Sequence, residues 1–100
     1  MSDETSSNGR NRVLVVDDDP GQIRTLSDCL DIEDLDAACC HSGREALDVC
    51  LREPLNVAII DLRLPDMEGM ELLHQLREIN PEIQVIIHTG HATLESAMEA

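Results

Sequence analysis

Three groups of residues have the types and the placement to do chemistry. Asp17, Asp18 and Asp19 stand together directly after the apolar run 13–16, Asp61 follows the apolar run 57–60, and Thr89 and Gly90 come one residue after the run 85–87. Carboxylates brought together repel, by about 4 kcal/mol for two unit charges ~4 Å apart at an effective dielectric of about 20. A convergence of Asp17, Asp18 and Asp61 therefore needs a cation. Oxygen ligands alone, in a small and partly hydrated site, suit Mg2+, which keeps several waters and shares its shell with phosphate. A carboxylate beside such an ion is also a nucleophile toward phosphorus, giving an aspartyl-phosphate. The competing reading of Asp17, Asp18 and Asp19 is a helix cap, with negative side chains against the positive end of a helix. It accounts for Asp19, which precedes Pro20, and leaves two acids at the end of an apolar run without a role.

Whether these groups meet depends on the elements that carry them. The run 13–16 is rich in valine and has no polar interruption, as expected of a strand buried on both faces. Asp19-Pro20 reads as an N-cap with proline in the first turn, and Ile23, Leu26 and Leu30 follow at helical spacing. Residues 35–39 form a weaker second strand. Ser42-Gly43-Arg44-Glu45 has the capping-box form and opens a helix expected to bury Ala46, Leu47, Cys50 and Leu51. A third strand covers 56–60. A polar loop with Pro65 and Gly69 leads from it to a helix bearing Leu72, Leu73, Leu76 and Ile79, which Asn80-Pro81 stops. The run 85–87 is a fourth strand, and a last helix begins near Thr93. Strand and helix alternate throughout, which predicts an α/β fold with a parallel sheet, right-handed crossovers and helices on both faces. In such sheets ligands bind beyond the carboxyl ends of the strands, where strand order reverses. If the first and third strands are neighbours there, Asp17, Asp18 and Asp61 share one pocket.

Composition narrows the functions. The chain has 100 residues, 21 acids against seven basic groups (all Arg, no Lys), a net charge of -14, and no Phe, Tyr or Trp. So acidic a surface repels phosphate backbones and anionic lipids, and no ring is present to stack on a base, which argues against direct nucleic-acid or membrane binding. No apolar run is long enough to span a bilayer, and no signal-peptide core stands at the N-terminus. Cys29, Cys39, Cys40 and Cys50 include no CxxC pair, and adjacent cysteines bridge poorly. They read as buried or half-buried free thiols of a reducing cytoplasm. The sequence lacks GxxxxGK[ST], which excludes a P-loop, and Pro20-Gly21 breaks the ligand spacing of an EF-hand. His88 and His91, with no partnering acid or thiol pattern, are not read as ligands. His74 is expected on the surface.

The segments VLVVDDDP, VAIIDLRLPDMEGMELL and VIIHTGHATLESA, in that order and spacing, resemble the receiver domain of bacterial two-component response regulators. The resemblance covers nearly all of the chain after residues 1–11, which read as a disordered tail. It implies a flavodoxin-like, doubly wound sheet of order 2-1-3-4, with the usual fifth strand and final helix lacking, so that 12–100 is an incomplete receiver. It implies Asp61 as phosphoacceptor and a sensor histidine kinase or phosphotransfer protein as donor. Asp18 and Asp61 would bind Mg2+ directly, Asp17 largely through water, and the Arg63 backbone carbonyl would complete the protein ligands. The Thr89 hydroxyl would contact the phosphoryl oxygens and act as the switch, with the backbone of Leu62 and Gly90 lining the same oxygens. Pro65 and Gly69 match the family's loop after the acceptor.

The sequence departs from the pattern in having no lysine to pair with the phosphoryl group and no aromatic switch residue. Loss of that ammonium removes one stabiliser of transition-state charge, so slow phosphorylation or none is expected while Mg2+ binding survives. The fourth strand becomes an edge, which together with the last helix invites homo-oligomer formation. The alternative from another class is an interaction or dimerisation module that keeps the fold without phosphorylation. A phosphatase using an aspartyl intermediate is disfavoured, because Asp61-Leu62-Arg63 lacks the second acid of a DxD pair.

Overall fold

The computed structural model describes residues 11–88. Seven elements follow one another: β1 (Asn11–Val16), α1 (Pro20–Ile32), β2 (Leu35–Cys40), α2 (Gly43–Arg52), β3 (Val57–Asp61), α3 (Gly69–Ile79) and β4 (Gln84–His88). All strand pairs are parallel and their order is β2-β1-β3-β4. The chain reverses direction across the sheet between β1 and β3, so the predicted switch point is present, and Asp17 follows β1 while Asp61 ends β3. The helix expected near Thr93 and the tail through residue 10 lie outside the described residues.

Local signals explain where the helices begin and end. The Asp19 carboxylate accepts the Gly21 N–H at 2.9 Å and caps α1, with Pro20 in its first turn. Ser42 Oγ accepts the Glu45 N–H at 3.2 Å at the start of α2. The return bond of a capping box is displaced by one residue, since Glu45 Oε1 accepts from His41 rather than from Ser42. Between α1 and β2 the chain passes through Asp34 at φ 63°, the left-handed region that aspartate tolerates better than most residues. Asn80 ends α3. Its amide donates to the Leu55 carbonyl at 3.0 Å, and its Oδ1 accepts the Glu82 N–H at 3.1 Å.

Several predicted boundaries move by one or two residues, and pairing is the cause. β1 starts at Asn11, which leaves the expected tail, because Asn11 and Arg12 pair with Leu35 and Asp36. β2 gains Cys40, opposite Val16. β3 runs over Val57–Asp61 instead of 56–60, since Asp61 pairs with His88 on a longer β4. Asp61 is thus the last residue of a strand rather than the first of a loop.

Alternation along the strands divides the core. Leu14, Val16, Ala58 and Ile60 face α2 and α3 with Ala46, Leu72 and Leu76, all almost fully buried. Val13 and Val15 face α1 with Ile23, joined by the partly buried Leu26, Leu30, Val57 and Ile59. Leu51, predicted buried, is 70% exposed. It stands one residue from the end of α2, on the flank of the stripe through Ala46, Val49 and Cys50. Cys29 and Cys39 are likewise exposed, against expectation, because Cys39 lies on edge strand β2 with its side chain opposite to that of buried Cys40. All four cysteines are free, and burial above all pushes the Cys40 thiol up to about 12. Among the described residues no helix is long and apolar enough to cross a membrane.

Candidate functional site

The carboxyl ends of β1 and β3 bring Asp17, Asp18 and Asp61 together. Each offers one carboxylate oxygen, and the three oxygens lie within 4.8 Å of one another. Asp17 is only 2% exposed. Its N–H donates to the Cys40 carbonyl at 3.0 Å, which fixes the backbone where β1 ends. Its Oδ1 accepts the Asp19 N–H at 2.9 Å, an Asx turn that holds the carboxylate over the start of α1. Asp18 is exposed and Asp61 half-buried. Burial first, and then the Asp17 carboxylate, push the Asp61 carboxyl upward from its ordinary value, while the backbone N–H groups of Arg63 and Leu62 pull it partly back. Three hard oxygen donors in mutual reach, one of them strained by its neighbours' charge, fit a divalent cation of the Mg2+ type.

The loop after Asp61 is a compact hairpin. Gly69 N–H donates to the Leu62 carbonyl at 2.7 Å, Leu64 N–H to the Met67 carbonyl at 3.1 Å, and Arg63 and Glu68 form an antiparallel bridge. Pro65 sits second in the four-residue turn 64–67, where its fixed φ is pre-set. Gly69 is required by space, since a Cβ there would overlap the Asp61 carbonyl oxygen and come within 3.0 Å of Leu62 Cα. Asp66, at the tip, reaches across to α2. Its two carboxylate oxygens accept the Gly43 and Arg44 N–H groups, each at 2.9 Å, and these bonds hold its carboxyl below the ordinary value. Sequence reasoning missed Asp66. The Ser42 cap takes only the Glu45 N–H, and the Gly43 and Arg44 N–H groups it leaves over were the available signal.

Other expected site residues are placed as follows. The Arg63 backbone lies in the first half of the hairpin, next to the acceptor. The Leu62 N–H, expected to line phosphoryl oxygens, donates to the His88 carbonyl at 3.0 Å and also lies near the Asp61 carboxylate. Thr89 and Gly90 lie outside the described residues. His88, set aside in the sequence for want of a partnering acid, has one: its Nε2 is 3.9 Å from Asp17 Oδ2.

Comparison with known proteins gives a consistent result. A family model described as the response regulator receiver domain matches residues 13–100. The transcriptional regulatory protein GlrR of Escherichia coli is 38% identical over 88 residues, covering 88% of this chain and 20% of that protein. The chain thus spans about a fifth of the length of the curated relatives it matches. A CheY-like receiver domain protein from Methanospirillum hungatei superimposes with a TM-score of 0.79 at 33% identity, over 90% of this chain and 72% of the other. A response regulator from Burkholderia pseudomallei, solved with a phosphorylated aspartic acid, calcium ion and citrate, superimposes with a TM-score of 0.76 at 26% identity, over 89% of this chain and 52% of the other.

Proposed function

Given that the chain belongs to the response regulator receiver domain family, we propose that Asp61 accepts a phosphoryl group from the phosphohistidine of a sensor histidine kinase or phosphotransfer protein, in the cytoplasm and with Mg2+. The observation that carries this is the meeting of three carboxylate oxygens within 4.8 Å at the switch point of the sheet. That a solved relative holds a phosphorylated aspartate and a calcium ion supports the same chemistry.

Asp18 and Asp61 would hold the ion together with the Arg63 carbonyl, and Asp17 would act largely through water. Bound there, a divalent ion would supply neutralisation of charge on the transferring group. An Asp61 carboxylate oxygen attacks phosphorus as the phosphorus–nitrogen bond breaks, and the imidazole leaves with the bonding pair. Burial and the Asp17 carboxylate disfavour the charged Asp61 carboxylate in the ion-free site, and a bound cation would offset that repulsion and keep the carboxylate ionised for attack. The Thr89 hydroxyl and the Gly90 N–H would meet the phosphoryl oxygens. The domain modifies itself and is not an enzyme with a separate substrate. Apolar Ile86, 54% exposed on β4, offers surface for homo-oligomer formation.

The second reading is an interaction module that works without phosphorylation. Incubation with acetyl phosphate and Mg2+, followed by a phosphate-affinity gel, decides between them. The expected result is slow labelling that needs Mg2+ and vanishes in Asp61→Asn. No labelling over hours, or labelling that survives Asp61→Asn, refutes the phosphoacceptor role.

A further inference from the structure

His88 is the last residue of β4 and pairs in register with Asp61. Alternation gives it the same sheet face as Asp61 and as Asp17, because Val13 and Val15 of β1 and Val57 and Ile59 of β3 share one cluster on that face. The imidazole thus leans across the end of β3 toward β1. Its Nε2 is buried, has no hydrogen-bond partner among the described residues, and lies 3.9 Å from Asp17 Oδ2. The other oxygen of that carboxylate, Oδ1, is already taken by the Asp19 N–H. Among the described residues, His88 is the one basic side chain within ion-pair distance of Asp17, Asp18 or Asp61.

A buried ring nitrogen left without a partner is rare in proteins and wants a use. The gap of 3.9 Å is too long for a hydrogen bond as it stands. The second torsion of histidine is broad, however, and a modest turn of the ring brings Nε2–H onto Oδ2. Pinned at Oδ1 by the backbone and at Oδ2 by the ring, the Asp17 carboxylate would have one orientation in the acidic pocket. Groups that orient carboxylates around a cation in this way commonly alter its affinity by 10- to 100-fold.

We propose that His88 is the positioning residue of Asp17, its Nε2–H setting the carboxylate for cation binding. The inference rests on the cation-site reading above and deepens it. It is tested by calorimetric titration of the full chain with Mg2+ and with Mn2+, comparing His88→Leu, His88→Gln and a site control, Asp18→Asn. Folding of each variant is verified by far-ultraviolet circular dichroism, and His88→Met replaces His88→Leu if the latter does not fold. Expected are a loss of affinity of roughly 10-fold for both ions on removing the donor, and recovery to within about threefold of the parent in His88→Gln, whose amide N–H reaches the same place. Unchanged affinity in His88→Leu overturns the proposal, as does a His88→Gln no better than His88→Leu, which would mean packing alone. Failure of the parent chain to bind either ion, or binding indifferent to Asp18→Asn, overturns the cation site itself and the inference with it.

Discussion

The face of the sheet beneath α2 and α3 and the face beneath α1 bury their side chains to very different degrees. On the first, Leu14, Ala58, Ile60, Leu72 and Leu76 are wholly inaccessible and belong to one continuous cluster. On the second, Val13, Val15 and Ile23 are buried, while Leu26, Leu30, Val57 and Ile59 are covered in part. A cavity of about 440 Å³ opens there between Leu30, Leu35, Val57 and Ile86. The acids divide the same way, for Asp17 and Asp61 continue the alternation of the thinly covered face. The dense face fixes where the strands end. At the carboxyl ends of the strands Asp18 is exposed and Asp61 half-buried, which leaves access for water and an ion that close packing would exclude.

Truncations in the two faces test this contrast most strongly. Leu76→Ala on the dense face is expected to cost about 3 kcal/mol, and Leu26→Ala on the open face under about 1 kcal/mol, in urea unfolding followed by far-ultraviolet circular dichroism. Equal costs would erase the distinction. A smaller effect sharpens it where the dense face meets the site. Gly69→Ala forces a methyl against the Asp61 carbonyl and should cost about 2 kcal/mol, whereas Gly43→Ala meets only the movable Met67 side chain and should cost less.

The smallest effect is a pair of opposite pH responses at the root and the tip of one hairpin. The Asp61 carboxyl is raised on folding, so its contribution is full below the unfolded value of about 3.9 and is lost as pH rises through the folded value. Asp61→Asn should therefore raise the thermal midpoint at pH 7 without divalent ions, by a small amount because the group is partly solvated, and the gain should vanish near pH 3. The Asp66 carboxyl is lowered, so its contribution is present above the unfolded value and is lost as pH falls through the folded one. Asp66→Asn should lower the midpoint at pH 7 and converge with the parent at acid pH. Thermal midpoints of the three proteins between pH 3 and 7 check both slopes.

What the residues disclosed in advance, and what they hid, follow from the range of the forces involved. Strands buried on both faces announce themselves as unbroken apolar runs, so the fold and the acids after β1 and at the end of β3 were legible. Caps act within a turn, so Asp19 and Ser42 were legible too. The partnership of His88 with Asp17 was not, because it depends on β4 reaching one residue beyond its apolar run to pair with Asp61. The bonds from Asp66 to Gly43 and Arg44 span 23 and 22 residues of chain, and no local pattern announces them. Leu51 looked like core because the stripe on α2 was read one residue too wide.

The reach of Asp66 has a mechanical side. A hairpin hinged at Asp61 and free at its tip would be a loose flap, and a shift at the acceptor would die out in thermal noise. Tied at the tip to the first turn of α2 by two parallel N–H···O bonds, the hairpin is instead a strut with both ends fastened. A push at Asp61 must either drag the start of α2 along or shear both bonds at once. The two bonds therefore couple the acceptor loop to the first turn of a helix distant in sequence.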